Sequence, residues 1–203
     1  APIILYFQGN GGALAGRARL FRDMASWGYG VLAVGYPGYG GNPGAPSEDR
    51  LIAAAKANHD WLTAKGIATN RIILYGHSMG SGVATGLAVE RPAAGLILES
   101  PFTSLADVVA LQMPLVPAGL LTKDKFQSAK RITRVKMPVV WVHGDQDRLI
   151  PADMGRRLYD RIPGEKCGAV IAGGDHDNLW GMGMDQIVRD QAAKIVASGR
   201  CQI

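Results

Sequence analysis

At 203 residues, with 47% apolar and 19% charged residues, the chain can bury a sizeable core, which excludes a disordered or low-complexity segment. No apolar run approaches the ~18 residues of a membrane span, and two cysteines are too few for a disulfide framework. The net charge of +5 is local: Lys123, Lys125, Lys130, Arg131, Arg134 and Lys136 against Asp124 carry the whole excess.

That basic window reads as a solvated helix face. The sharper alternative is steering of an anionic substrate or contact of Lys123–Lys136 with an acidic membrane surface. It holds one aromatic residue, Phe126, and no reader module, so nucleic acid is not an expected partner. Metal-ligand spacing and dinucleotide fingerprints are both missing, and no cofactor or metal is expected.

The chain starts at Ala1 and enters the apolar run Pro2 to Phe7 almost at once, as if trimmed before a core strand. A leader or anchor would then be lost, and the sequence leaves the compartment open. Strands are expected at Ile3–Phe7, Gly30–Val34, Arg71–Tyr75, Gly95–Leu98, Val139–His143 and Gly168–Ile171. Runs such as Ile-Ile-Leu-Tyr lack apolar/polar alternation, as parallel strands covered on both faces do. Helices are expected at Ala13–Trp27, Ser47–Lys65, Ser78–Arg91, Ala152–Arg161 and Met184–Ala197. Repeated strand–helix alternation predicts one α/β domain over 1–203, with a mainly parallel sheet of about six strands and helices on both faces. The stretch 101–137 is too long for an ordinary crossover and reads as a small lid plus a helix. Cys167 is expected to be buried and Cys201 to lie loose near the terminus.

Gly76-His77-Ser78-Met79-Gly80 follows a strand and opens a helix. A sharp strand-to-helix turn needs glycines on both sides of the serine, and such a turn lifts a nucleophilic hydroxyl to the sheet edge. No Gly-Lys-Ser/Thr sequence follows, so a phosphate-cradling loop fits poorly. A serine hydroxyl needs a base. Of the four histidines, His59 reads as a surface or packing residue, His77 cannot easily bend back onto its neighbour, and His143 suits a buried, hydrogen-bonded ring. His176, in the polar loop after the last strand, is the candidate base. Asp147 is the candidate orienting carboxylate, while the spacing of Asp145 suits a turn cap. Negative charge developing on a substrate oxygen would meet the backbone N–H of Met79 and one from Gln8-Gly9-Asn10-Gly11-Gly12, with Asn10 the best donor.

The ordered set of motifs resembles the α/β-hydrolase superfamily, and most closely its BEM46-like branch of small serine hydrolases. It runs through Gln8–Gly12, Gly35-Tyr36-Pro37-Gly38-Tyr39-Gly40, Gly76–Gly82, Glu99-Ser100-Pro101-Phe102-Thr103-Ser104, His143-Gly144-Asp145-Gln146-Asp147 and His176. The resemblance implies the same triad: Ser78, Asp147 and His176. It implies an esterase or thioesterase (EC 3.1) acting through an acyl-enzyme on small-molecule or acylated substrates. A peptidase or amidase of the same fold, or a non-catalytic scaffold, is the alternative. It also implies a short cap over 101–137, where Phe102, Leu105, Met113, Leu115 and Val116 could line an acyl groove or simply pack lid on core. Two departures stand out. Gln8 replaces the family's usual histidine at the oxyanion loop. The family's earlier N-terminal strands are also missing, which would leave Ile3–Phe7 closer to a sheet edge with unpaired backbone groups.

Overall fold

A computed structural model describes residues 1–11, 14–115, 117 and 122–203. Six strands form one sheet: β1 (Ile3–Phe7), β2 (Gly30–Ala33), β3 (Ile72–His77), β4 (Gly95–Glu99), β5 (Val139–Gly144) and β6 (Lys166–Ile171). Their order is β2-β1-β3-β4-β5-β6, and every neighbouring pair is parallel. This is the parallel six-stranded sheet that the repeated strand–helix alternation predicts.

Both faces of the central strands are dry. On one face Leu5, Phe7, Ile72, Leu74, Leu96 and Leu98 pack beneath helices α2 (Glu48–Ala64) and α3 (Met79–Glu90). Ile4, Tyr6, Ile73, Tyr75, Ile97 and Val140 turn the opposite way, towards α1 (Ala18–Ser26) and the last helix, Met184–Ser198. Alternate residues thus face two cores, which explains the unbroken apolar runs. Each fully buried Leu or Ile contributes about 1.5–3 kcal/mol of transfer free energy.

Three details differ from the sequence expectations. Strand β1 is paired on both sides, to β2 and β3, so the unpaired edge falls on β2, whose residues are only half-buried. The first helical segment opens as a 3-10 turn, Leu14–Arg17, before α1 begins, and Ala13 lies outside the described residues. Cys201 is buried rather than loose, with its thiol directed at the Val139 carbonyl from 3.7 Å.

Between β4 and β5 lie α4 (Leu105–Gln112) and the short helix α5 (Ser128–Arg131). The segment before α5 is pinned to the start of α2. Glu48 accepts from the N–H groups of Lys125 and Phe126 at 3.0 and 2.9 Å, and Asp124 accepts from the Glu48 N–H at 2.9 Å. The Asp124 bond joins the Ser47 hydroxyl, which accepts from the Arg50 N–H, in satisfying the first N–H groups of α2. Helix α6 (Ala152–Asp160) follows β5, and α7 (Met184–Ser198) closes the fold.

The tightest packing lies where α3 leaves β3. A Cβ on Gly76 would come within 2.6 Å of the Ser81 Cα, and one on Gly80 would overlap the Phe7 carbonyl. Gly82 makes room for the rings of Phe102 and Phe126. Replacing Gly80 by Ala should therefore lower stability by about 1–3 kcal/mol in urea unfolding. Gly164→Ala, where nothing lies within 4 Å, should stay within about 0.5 kcal/mol of wild type. Equal effects at the two positions would contradict this reading of the elbow.

Candidate active site

Ser78 sits between β3 and α3 with φ 53° and ψ −122°, a left-handed conformation that a serine adopts only under constraint. Its N–H donates to the Glu99 carbonyl at 3.0 Å, and its own carbonyl accepts from the Ser81 N–H at 2.8 Å. The side chain has one direction left, out over the carboxyl ends of the strands.

Two other loops meet it there. The Ser78 hydroxyl donates to Nε2 of His176 at 2.9 Å, and Nδ1 of His176 donates to Oδ2 of Asp147 at 2.7 Å. The carboxylate thereby fixes the tautomer that leaves Nε2 bare towards the hydroxyl. The structure thus brings Ser78, His176 and Asp147 together from the ends of β3, β6 and β5. Asp145 instead accepts from the Gly173 N–H at 2.8 Å and ties the two loops to each other.

Asp147 is buried, and burial alone would push its carboxyl up. Hydrogen bonds from His143, His176 and the Ile150 N–H outweigh that and hold it well below the usual carboxylate range. His143 was expected as a buried ring, and it is one, but it also faces the carboxylate. Its Nε2 donates to the Ile150 carbonyl at 2.7 Å and lies 3.3 Å from Oδ2 of Asp147. Trp141 donates to its Nδ1 at 3.4 Å, which sets that orientation. For His176, burial opposes charging, but the hydrogen bond and charge of Asp147 win and raise its pKa above 6.5.

His77 does not reach its neighbour's hydroxyl. It is buried, donates through Nε2 to the His176 carbonyl at 3.2 Å, and receives Nη2 of Arg17 on Nδ1 at 3.3 Å. Burial lowers its pKa, so it stays neutral while holding the His176 loop. His59 is buried as well, against the Pro92 carbonyl at 2.9 Å.

A cavity of about 600 Å³ opens over the serine, lined by Gly9, Asn10, Gly11, Gly16, Arg17, His77, Ser78, Leu149, His176 and Asp177. The family model described as "Serine aminopeptidase, S33" matches residues 2–126 of the chain. The chain belongs to this family of α/β-hydrolases. It is 41% identical over 178 residues to the uncharacterized protein Rv2307c of Mycobacterium tuberculosis, covering 87% of this chain and 63% of that protein. With the lysophosphatidylserine lipase ABHD12 of Xenopus tropicalis it shares 31% identity over 183 residues, covering 78% of this chain and 46% of the lipase. The chain thus spans roughly half to two thirds of these relatives. Among solved structures, the monoacylglycerol lipase of Paleococcus ferrophilus superposes with a TM-score of 0.74 at 19% identity, covering 95% of this chain and 94% of that one. That likeness is one of fold.

For this hydrolase-family chain, the remaining expected residues divide. Asn10 and Met79 flank the serine: Asn10 lines the cavity, and the Tyr39 hydroxyl donates to its side-chain oxygen while lying 3.7 Å from the Met79 sulfur. Gln8 is buried and is held through its carbonyl, which accepts from the Tyr36 hydroxyl at 3.2 Å. The expected acyl groove is not formed by the lid residues named for it. Phe102 is committed to the core against Gly82, Leu105 packs beside that core, and Met113 and Leu115 face solvent. None of them lines the cavity, and Val116 lies outside the described residues. Leu149, Arg17 and Asp177 occupy the wall instead, and no sequence motif marks them.

The two shifted groups act over different pH ranges. Asp147, with its pKa depressed from 3.8, contributes stability above that value and loses it as pH falls through the folded value. His176, with its pKa raised from 6.5, contributes fully below 6.5 and loses its share as pH rises through the folded value. Asp147→Asn should therefore be most destabilising between about pH 4 and 6.5, with the gap to wild type narrowing on either side. Urea titrations across pH would measure it, and a gap that widens below pH 4 would contradict the assignment.

Proposed function

We propose that this chain is a serine hydrolase that cleaves carboxylic ester or thioester bonds through an acyl-enzyme. The observation that carries the reading is the unbroken relay of 2.9 and 2.7 Å from Ser78 through His176 to Asp147, at the floor of an open cavity. Ser78 attacks the carbonyl carbon while His176 Nε2 takes its proton, and Asp147 steadies the imidazolium that forms. The tetrahedral oxyanion accepts hydrogen bonds from the backbone N–H groups of Met79 and Asn10. Each such donor contributes about 3–4 kcal/mol to the transition state. His176 then returns the proton to the departing oxygen or sulfur. Water, deprotonated by the same imidazole, releases the acid and restores the Ser78 hydroxyl.

The relatives' printed names, lysophosphatidylserine lipase and monoacylglycerol lipase, support ester substrates and a lipid or small-molecule acyl donor. An aminopeptidase activity, which the family description also contains, would need a free carboxylate in the cavity to receive a substrate amine. Among the described lining residues Asp177 is the one carboxylate, and a substrate amine approaching it would meet the Arg17 guanidinium 3.3 Å away, which favours esters. The motif set supports placement in the BEM46-like branch, and we assign 1–203 to one hydrolase domain with 101–137 as its cap. The exposed Lys123, Lys125, Lys130 and Arg134 support contact of that cap with an acidic membrane surface.

A fluorophosphonate probe should label the wild type and leave Ser78→Ala unlabelled. His176→Ala should reduce ester turnover about as far as Ser78→Ala, since the groups act as a unit, and Asp147→Asn should cost about 10³–10⁴ in kcat. Because the base must be neutral, kcat/KM of the wild type should rise with pH through a limb above 6.5, where His176 loses its proton. Folded protein that stays unlabelled would overturn the enzymatic reading.

A further inference from the structure

Arg17 has no part in the relay, yet it lines the same cavity as Ser78. Among the described lining residues it alone carries a permanent positive charge. Its two protein bonds both use Nη2, to His77 Nδ1 and to Asp177 Oδ1, each at 3.3 Å. A guanidinium has five donors in a planar fork, and among the described residues the others find no protein partner. Asp177 is a weak competitor, since its side chain is 73% exposed against 24% for Arg17. A water-facing pair of that kind is worth little, and an incoming anion can displace it.

Space and charge agree at this point. Arg17 shares the lining of the cavity with Gly9, Gly11 and Gly16, which bring no side chain to that wall. Burial works against its charge, and the carboxylates of Glu99 and Asp177 favour it. Its neighbours tie it to the loop that carries the base. Arg17 is bonded to Asp177, the residue after His176, and to the ring that holds the His176 carbonyl. We take the departing group to lie towards this loop, since His176 returns a proton to the departing oxygen.

We propose that Arg17 is a specificity-determining residue, forming an anion subsite for esters whose departing alcohol carries a phosphate or a carboxylate. The inference rests on the serine-hydrolase reading above and narrows it to a substrate class. The fork offers two parallel N–H groups to a phosphate or carboxylate, which a lysine could match only as a point charge.

The test is the ratio of kcat/KM for 1-butyrylglycerol 3-phosphate to that for neutral 1-butyrylglycerol, with 3-butyrylglycerate separating carboxylate from phosphate. A ratio within one protein sample is independent of the folded fraction, so a partly misfolded variant still reports. Wild type should prefer at least one anionic ester, and Arg17→Gln should lower that preference by about tenfold or more while Arg17→Lys restores part of it. The preference should also fall with added salt. Turnover of the neutral ester with the same ratio in wild type and Arg17→Gln overturns the subsite and leaves the hydrolase standing. Turnover of no ester by wild type overturns the hydrolase reading and the subsite together.

Discussion

The structure depends on one forced bend, the passage from β3 into α3 through Ser78 at φ 53°. A left-handed serine costs of order 1–3 kcal/mol and persists only where its surroundings over-determine it. Here Gly76 and Gly80 allow α3 to close against β1 and β3, and Glu99 holds the Ser78 N–H. The bend is sustained by the two dry cores that grip the strands on either side. In return the hydroxyl has a single direction, and the open end of α3 is brought beside it.

The second constraint is electrostatic. Asp147 is buried yet ionised, which is favourable only because three separate elements donate to it or crowd it. The N–H groups of Leu149 and Ile150 take one oxygen at 3.0 and 2.8 Å, while His176 takes the other, with His143 close by. An isolated carboxylate in that position would protonate, and the imidazole would lose its orientation. The loop after β5 is therefore an acceptor cage assembled around one anion. Trp141 and His143 form its back wall, and His77 does the equivalent work for the His176 loop.

Much of this was legible in the sequence because it rests on short-range rules. Unbroken apolar runs meant strands covered on both faces. Glycines two residues either side of Ser78 meant a sharp elbow, the polar loop after the last strand pointed to His176, and the turn-cap spacing of Asp145 left Asp147. What escaped was set by long-range placement. Arg17 lies within the expected helix Ala13–Trp27, and the 3-10 turn that places it at the cavity breaks the helical period. His143 looked purely structural, since its proximity to Asp147 arises from the turn between them. The lid residues were apolar in the right places, but Phe102 was claimed by the core beside Gly82, and Met113 and Leu115 face solvent. Which apolar residues line a cavity and which fill a core is decided by such packing, and hydropathy is silent about it.

The central claim is that the constrained hydroxyl becomes covalently acylated. The most direct measurement is acid quench during turnover of a p-nitrophenyl ester, followed by intact mass and peptide mapping. The account predicts one added acyl group, on the peptide containing Ser78, formed with a burst of p-nitrophenol. Steady turnover with no acyl adduct and no burst, or an adduct on another residue, would contradict it.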